Sequence, residues 1–208
     1  MRITVSMPSF GRPQRTIRAI ECICNQNINK WEALVVGDGC PFMTDFIMSN
    51  YFGDMVREAN RNGNSLQISN LSENKGGWGY YIINQNIQRA LGKYFIFMSN
   101  DDVILPNHFE NYLSGVEGTD LDYAYFDTFI KPTGQMRVSE LKNGSIGHSE
   151  IIVKTEFLRT LAPHTPEYGH DWYMIREMIE KGNGRKMHNN PLTYSVRGVG
   201  ELRQDEID

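Results

Sequence analysis

The stretch over residues 94–106, YFIFMSNDDVILP, sets the tightest constraint on what this chain can fold into. Tyr94 to Met98 form a continuous apolar run, the pattern of a strand buried on both faces of a sheet. The run stops abruptly in Ser99, Asn100, Asp101 and Asp102. A sheet interior cannot hold two adjacent carboxylates without a cation or donors to offset their desolvation. This strand end is therefore expected in the crevice where open α/β sheets bind ligands. Paired carboxylates there predict a site for a hard divalent cation, which prefers oxygen ligands. Asn and Asp equally suit the cap of a helix starting near Pro106, so these residues alone leave both readings open.

Upstream, the same grammar repeats. Residues 3–7 alternate apolar and small polar side chains up to Pro8, predicting a first strand, and Pro13 opens a helix in which Ile17, Ile20 and Cys24 keep helical spacing. The intervening loop, Pro8-Ser9-Phe10-Gly11-Arg12-Pro13, offers an aromatic face for a planar base and a guanidinium for a phosphate. A packed Phe10 and a solvated Arg12 are the plainer alternative. Residues 33–36 read as a second buried strand ending in the turn Gly37-Asp38-Gly39-Cys40-Pro41. Asp38, flanked by glycines, is placed to meet the edge of a base or a ribose hydroxyl, or else to cap a following helix carrying Phe42, Phe46, Ile47 and Met55. Residues 66–68 give a short third strand. The loop ENKGGWG over 73–79 matches neither a dinucleotide fingerprint nor a P-loop. A helix over 80–91, stopped by Gly92, then leads into the central strand.

Beyond Asp102, a helix is expected over 106–116, a strand over 123–130, a glycine-containing flexible loop over 134–147 and a short strand over 151–153. The last clear helix spans about 170–181, with Trp172, Ile175, Met178 and Ile179 on its apolar face and Asp171 in its first turn, where the helix dipole favours an acid. One more strand is expected near 192–196, and the residues from Glu201 onward read as a frayed end. Strands alternating with helices predict an α/β domain with a mainly parallel central sheet flanked by helices.

Bulk properties narrow the function classes. With 208 residues, one well-packed domain is expected. The net charge of -4 and dispersed basic residues argue against a nucleic-acid partner. No apolar segment approaches the roughly 20 residues needed for membrane insertion. The three cysteines, Cys22, Cys24 and Cys40, lack the paired spacing of a zinc site and fit a reduced, cytoplasmic setting.

Four segments together carry a resemblance: SMPSFGRP, VVGDGC, NQNIQRALGKYFIFMSNDDVILP and GHDWYMIREMIEKGNGRKMHNNPLTYSVR. In that order and spacing, over most of the chain, they resemble the GT-A glycosyltransferases of glycosyltransferase family 2. Within that family they are most similar to small domains from viruses that infect chlorella-like algae. The resemblance implies a single GT-A, Rossmann-like domain over 1–208, with a nucleotide-binding half (1–102) and an acceptor and catalytic half (103–208), and allows for a longer polypeptide. It implies a UDP-sugar donor, a glycan or glycoprotein acceptor such as a viral capsid glycan, and Mn²⁺ or Mg²⁺ as cofactor. Pro8 and Phe10, with Ser9 between them, would line the uracil pocket, and Asp38 would accept a hydrogen bond from the base. Asp101 would hold the ribose, beside Asn100, and Asp102 would ligate the metal with Asp101 as its partner carboxylate. Asp171 would be the general base.

Three departures from the family pattern stand out. Ser99 replaces the first aspartate of the metal motif. Trp78 stands where relatives carry an arginine near the diphosphate, leaving Lys75 beside Gly76, or Arg12, to supply the positive charge. His170 replaces the glutamate before Asp171. His148, His170 and His188 offer themselves as extra metal ligands, but a lone histidine more often sits at the surface or packs in the interior, so none is assigned. Two rival functions fit parts of the pattern: a non-catalytic protein that binds nucleotide-sugar or glycan, and a sugar-phosphate nucleotidyltransferase. The latter would need a basic, glycine-rich loop after the first strand, which is missing.

Overall fold

The apolar runs of the sequence become the middle of one sheet. In a computed structural model that describes residues 1–130, 135–187 and 193–195, strand β1 (Ile3–Ser9) is flanked by β2 (Trp31–Gly37) and β4 (Tyr94–Phe97), both parallel to it. Outside β2 lies β3 (Ser65–Asn70), also parallel. On the other side β9 (Ile151–Lys154) runs antiparallel to β4, and β6 (Tyr123–Tyr125) and β10 (Gly184–Lys186) complete the order β10-β6-β9-β4-β1-β2-β3. A second sheet joins β5 (Asp102–Ile104), β11 (Thr193–Ser195), β7 (Thr128–Ile130) and β8 (Gln135–Arg137).

Both faces of the main sheet are covered. Ile3, Val5, Tyr94 and Ile96 pack on one face with Ile20 and Ile23 of α1 (Pro13–Cys24) and Phe109 and Leu113 of α5 (His108–Val116). Phe95 and Phe97, the alternate residues of the same strand, pack on the other with Ile83 and Ile87 of α4 (Tyr80–Arg89) and Ile175 and Met178 of α7 (His170–Lys181). A continuous apolar run is what two covered faces require. Among the described residues no helix is long and apolar enough to cross a membrane.

The structure departs from the sequence expectations at several boundaries. β1 runs through Pro8 to Ser9. The Ser6 carbonyl, which accepts from Met98 N–H, faces β4; alternation puts Pro8 on that side too, beyond the last paired residue of β1 with β4, so its missing N–H breaks no rung. The single helix expected after Pro41 is two, α2 (Pro41–Ile47) and α3 (Asn50–Arg61), because Ser49 Oγ accepts the Phe52 amide and starts a new helix. The strand expected over 123–130 splits into β6 and β7, which join different sheets, with Phe126 buried at the bend. The loop expected over 134–147 contains β8, paired with β7. Residues 131–134, 188–192 and 196–208, including His188 and Glu201 onward, lie outside the described residues.

Gly92 ends the α4 connection for a reason other than a left-handed cap. A Cβ there would sit 2.3 Å from the Thr4 amide nitrogen and 2.5 Å from the Ile3 carbonyl carbon, both backbone atoms that cannot move aside. Its N–H donates to Thr4 Oγ1 at 2.9 Å and to the buried Glu32 Oε1 at 3.2 Å. Gly92→Ala is expected to destabilise the protein by about 2–3 kcal/mol through overpacking. A lowered urea midpoint with an unchanged slope would show this, and an unchanged midpoint would contradict it.

Candidate functional site

A cavity of about 1330 Å³ opens over the carboxyl ends of β1, β2 and β4. The strand order places a crossover reversal between β1 and β4, the position where open α/β sheets leave a crevice. Pro8, Ser9, Phe10, Arg12, Asp38, Gly76, Trp78, Asn100 and Asp171 all line it. Elements far apart in sequence thus converge on one space.

The floor between β1 and β4 is a polar network. Asn100 Nδ2 donates to Ser9 Oγ at 3.3 Å and to Thr16 Oγ1 at 3.1 Å, and those two hydroxyls lie 2.9 Å apart. All three side chains are buried, so their mutual bonds replace lost water. Ser9 and Asn100 therefore fix the strand ends to α1 while facing the cavity. Above them Gly11 and Arg12 both adopt positive φ, 63° and 53°, which swings Phe10 outward to 57% exposure. A left-handed arginine is the kind of backbone strain that clusters at binding sites.

Asp38 organises the opposite wall. Its Oδ1 accepts the Lys75 amide at 2.8 Å and its Oδ2 the Gly76 amide at 3.0 Å, while its carbonyl accepts Asn74 Nδ2 at 2.9 Å. The carboxylate clamps loop 74–79 and does not cap α2, whose N-cap is Cys40. Lys75 contributes this amide; its ammonium pairs with Glu73 and does not line the cavity. Gly76, Gly77, Trp78 and Gly79 all have positive φ. At Gly79 a Cβ would fall 2.7 Å from Pro8 Cβ, so the loop packs directly against the end of β1. Trp78 projects from it, 68% exposed, and meets Tyr168 edge-on with ring centroids 5.6 Å apart.

Asp101 and Asp102 flank the cavity without lining it. A tight turn, Asp102 N–H to the Ser99 carbonyl at 3.2 Å and Ser99 N–H to Asp102 Oδ2 at 3.1 Å, folds the Asp102 carboxylate into a buried position at the start of β5. Asp101 is less buried, and its two oxygens accept from Ser99 Oγ and from Arg12 Nη1, the latter at 2.8 Å. Neither caps a helix, because β5 intervenes and α5 begins only at His108. The donor set is all oxygen, as Mn²⁺ and Mg²⁺ prefer, and Asp101 already balances a cation in the form of Arg12. These residues fit a hard divalent ion, provided Arg12 yields its place on Asp101.

Asp171 lies in the first turn of α7, where Oδ1 accepts the Trp172 amide at 2.9 Å. Gly169, at φ 82°, turns the chain into that helix. Around it sequence reasoning missed two side chains, Arg137 and His164. Arg137, in β8, lines the cavity and is held at 3.2 Å by the buried Glu150; a residue inside a stretch read as flexible loop gave no signal. His148 and His164 come together with His170. Burial, with repulsion from neighbouring imidazoles, pushes His148 down to about 3 and His164 down to about 2. Burial lowers His170 as well, against the opposing effect of Asp171. His164 comes from a loop with no periodicity to mark it.

The profile of the family described as glycosyl transferase family 2 matches residues 4–182. No curated protein matches the chain. Among solved structures, S. aureus TarS 1–349 superposes with a TM-score of 0.77 at 16% identity, over 94% of this chain and 60% of that one. TarS 1–349 in complex with UDP-GlcNAc gives 0.76 at 16%, over 98% and 61%. The mannosyltransferase PcManGT from Pyrobaculum calidifontis, in complex with GDP-Man and Mn²⁺, gives 0.68 at 14%, over 96% and 58%. At these identities the likeness is one of fold, and this chain spans about 60% of the length of the TarS chain.

Removing the Asp38 carboxylate tests how the wall is held. Asp38→Ala leaves the Lys75 and Gly76 amides without their charged acceptor, an interaction of about 1.5–3 kcal/mol. Amide hydrogen exchange over 74–79 is expected to quicken about 10–100-fold while β1 and β4 keep their protection. Unchanged exchange in that loop would show that the clamp is not what orders it.

Proposed function

The chain belongs to glycosyl transferase family 2, and from that premise and the layout of the cleft we propose that it moves a sugar from a UDP-sugar donor to a hydroxyl of a glycan acceptor. The observation that carries this reading is the convergence on one cavity of the β1–α1 loop, the Asp38-clamped glycine loop, the β4 end and Asp171. In this reading residues 1–102 bind the nucleotide and 103–208 supply acceptor contacts and the base. Phe10 and Pro8 flank the uracil, and Asp38 meets its edge. Asp101 and Asp102 hold Mn²⁺ or Mg²⁺, which would supply Lewis-acid stabilisation of the departing diphosphate. Arg12 and Arg137 line the cavity, where the Lys75 ammonium does not, and would supply the positive charge beside the diphosphate. The exposed rings of Trp78 and Tyr168 offer apolar faces on which a sugar can stack. A viral capsid glycan as acceptor rests on the sequence resemblance alone.

Breaking the anomeric C–O bond leaves an oxocarbenium-like sugar beside a diphosphate. Asp171 would take the proton of the acceptor hydroxyl as the new bond forms, giving direct displacement with inversion. Two observations favour a second reading, a protein that binds the nucleotide-sugar without turning it over. Ser99 supplies no carboxylate, and Arg12 occupies Asp101. Hydrolysis of donor by the purified protein separates the two.

Calorimetric titration of UDP, UDP-sugars and GDP-mannose, with Mn²⁺ and then with EDTA, is the direct test. Metal-dependent binding with preference for one UDP-sugar is expected. Binding to no uridine nucleotide would overturn the donor assignment. Asp171→Asn is expected to keep donor affinity within about twofold while turnover falls about 10²–10⁴-fold. Turnover unchanged by that substitution would remove Asp171 as the base.

A further inference from the structure

We propose that His148, His164 and His170 form a second metal site, one for a borderline transition ion such as Zn²⁺, that pins the loop carrying Tyr168 to the sheet beside Asp171. Each of the three offers a ring nitrogen, and these atoms all lie within 4.8 Å of one another. They come from three separate segments. His148 opens the short turn before β9, His164 lies in the loop after α6 (Thr155–Leu158), and His170 begins α7.

The surroundings are built to hold these rings in place. His148 stacks on Phe97 of β4, with centroids 4.5 Å apart and planes 21° apart. The His164 backbone is locked to α4 from both sides: its N–H donates to Asn84 Oδ1 and its carbonyl accepts Asn84 Nδ2, each at 2.9 Å. His164 is 5% exposed and His170 7%. Three imidazoles crowded together would normally satisfy one another or not be buried at all. Here Nδ1 of His164 meets Nδ1 of His170 at 2.8 Å, yet Nε2 of His148 and Nε2 of His164 are buried without a hydrogen-bond partner. Leaving such atoms unpaired disfavours the folded state, and a bound ligand removes the deficit.

The chemistry of the donors selects the ion. Neutral imidazoles suit Zn²⁺, Co²⁺, Ni²⁺ and Cu²⁺, whereas Mg²⁺ and Mn²⁺ prefer oxygen. Burial lowers all three imidazoles, which favours the neutral form that binds metal. At Zn–N distances of about 2.0–2.1 Å, tetrahedral ligand atoms stand roughly 3.3 Å apart. The ligand atoms, now within 4.8 Å of one another, must therefore settle at about that spacing, a movement within reach of ring rotation. His148 and His170 also line the cavity, so the fourth position faces the cleft. The site does not depend on the sugar-transfer reading, and it uses none of the residues assigned to donor or diphosphate.

The test uses the wild-type chain, stripped of metal and loaded with one equivalent of Zn²⁺ or Co²⁺. X-ray absorption at the zinc edge is expected to show a shell of three imidazoles, and Co²⁺ to give the intense visible bands of a tetrahedral site. Stoichiometric Zn²⁺ should displace Co²⁺, and 1 mM Mg²⁺ should not, the concentration being roughly that of the oxygen-ligand regime. His164→Asn and His170→Asn should each weaken Zn²⁺ binding about 100-fold or more, beyond the 10–100-fold typical of losing an outer-shell partner. Asp101→Asn should leave it unchanged, which separates this site from the carboxylate pair. A shell of oxygen alone, a sulfur shell from the cysteines, or no bound ion in the wild-type protein would overturn the proposal, whether or not the variants fold. Undiminished binding in folded histidine variants would do the same.

Discussion

Everything in the cleft depends on the parallel pairing of β1 with β4. That ladder, Ile3 to Ser6 against Tyr94 to Phe97, lies in the middle of the seven-stranded sheet and is buried on both faces, with Thr4 and Ser6 bonded to the buried Glu32 and Asn86 on one of them. Its length is set by where the apolar run stops. Once Met98 has donated to Ser6, the β4 chain turns polar at Ser99 and Asn100 and leaves the ladder, while β1 runs on against β2 to Ser9. Pro8, with no N–H to offer, ends the pairing from the other side. The strand ends therefore separate over open space, and the chain reverses its winding there. A cavity at this point is a consequence of the pairing and not an addition to it.

What the strand ends separate, short polar side chains reconnect. Ser9, Thr16 and Asn100 bind one another, so the two strand ends and the first turn of α1 move as one unit. Asp38 does the corresponding work for loop 74–79, holding two successive amides where four successive positive φ angles would otherwise leave the backbone without a preferred shape. In both places a side chain that faces the cavity is also a structural tie. Preorganisation of this kind lets a binding surface keep its shape before the ligand arrives.

Much of this was legible in the sequence, because its strongest signals are local. Apolar runs ending in Asn and Asp locate strand ends, and strands alternating with helices imply a parallel sheet, so the positions of Pro8, Asp38 and Asn100 around one crevice follow from the pattern, while the expectation that Asp171 joins them came from the family resemblance. The fate of each functional group was not legible. Whether the amide or the ammonium of Lys75 serves the site depends on Glu73 two residues away. The burial of Asp102 depends on a turn back to Ser99. Arg137 and His164 sit in segments without periodicity and gain their places only through contacts with Glu150 and Asn84, made across the fold. Boundaries failed for a similar reason: β6 and β7 read as one strand because the bend at Phe126 is decided by which sheet each half joins.

The two donor sets around the cavity differ in kind, and that difference has a physical consequence. Asp101 and Asp102 offer oxygen near a guanidinium, the donor type that hard, strongly hydrated ions prefer. His148, His164 and His170 offer nitrogen among aromatic rings at the edge of the cavity, the donor type that borderline ions prefer. Under the two proposals, ligand type orders affinity, so a cation at the carboxylates would not exchange with one at the histidines. Asp171 lies between these demands: its helix is anchored through His170, the residue immediately before it, while its own carboxylate faces the cavity wall. Substituting a histidine for a second carboxylate at that position removes one negative charge from beside Asp171 and replaces it with a group that can be tied down.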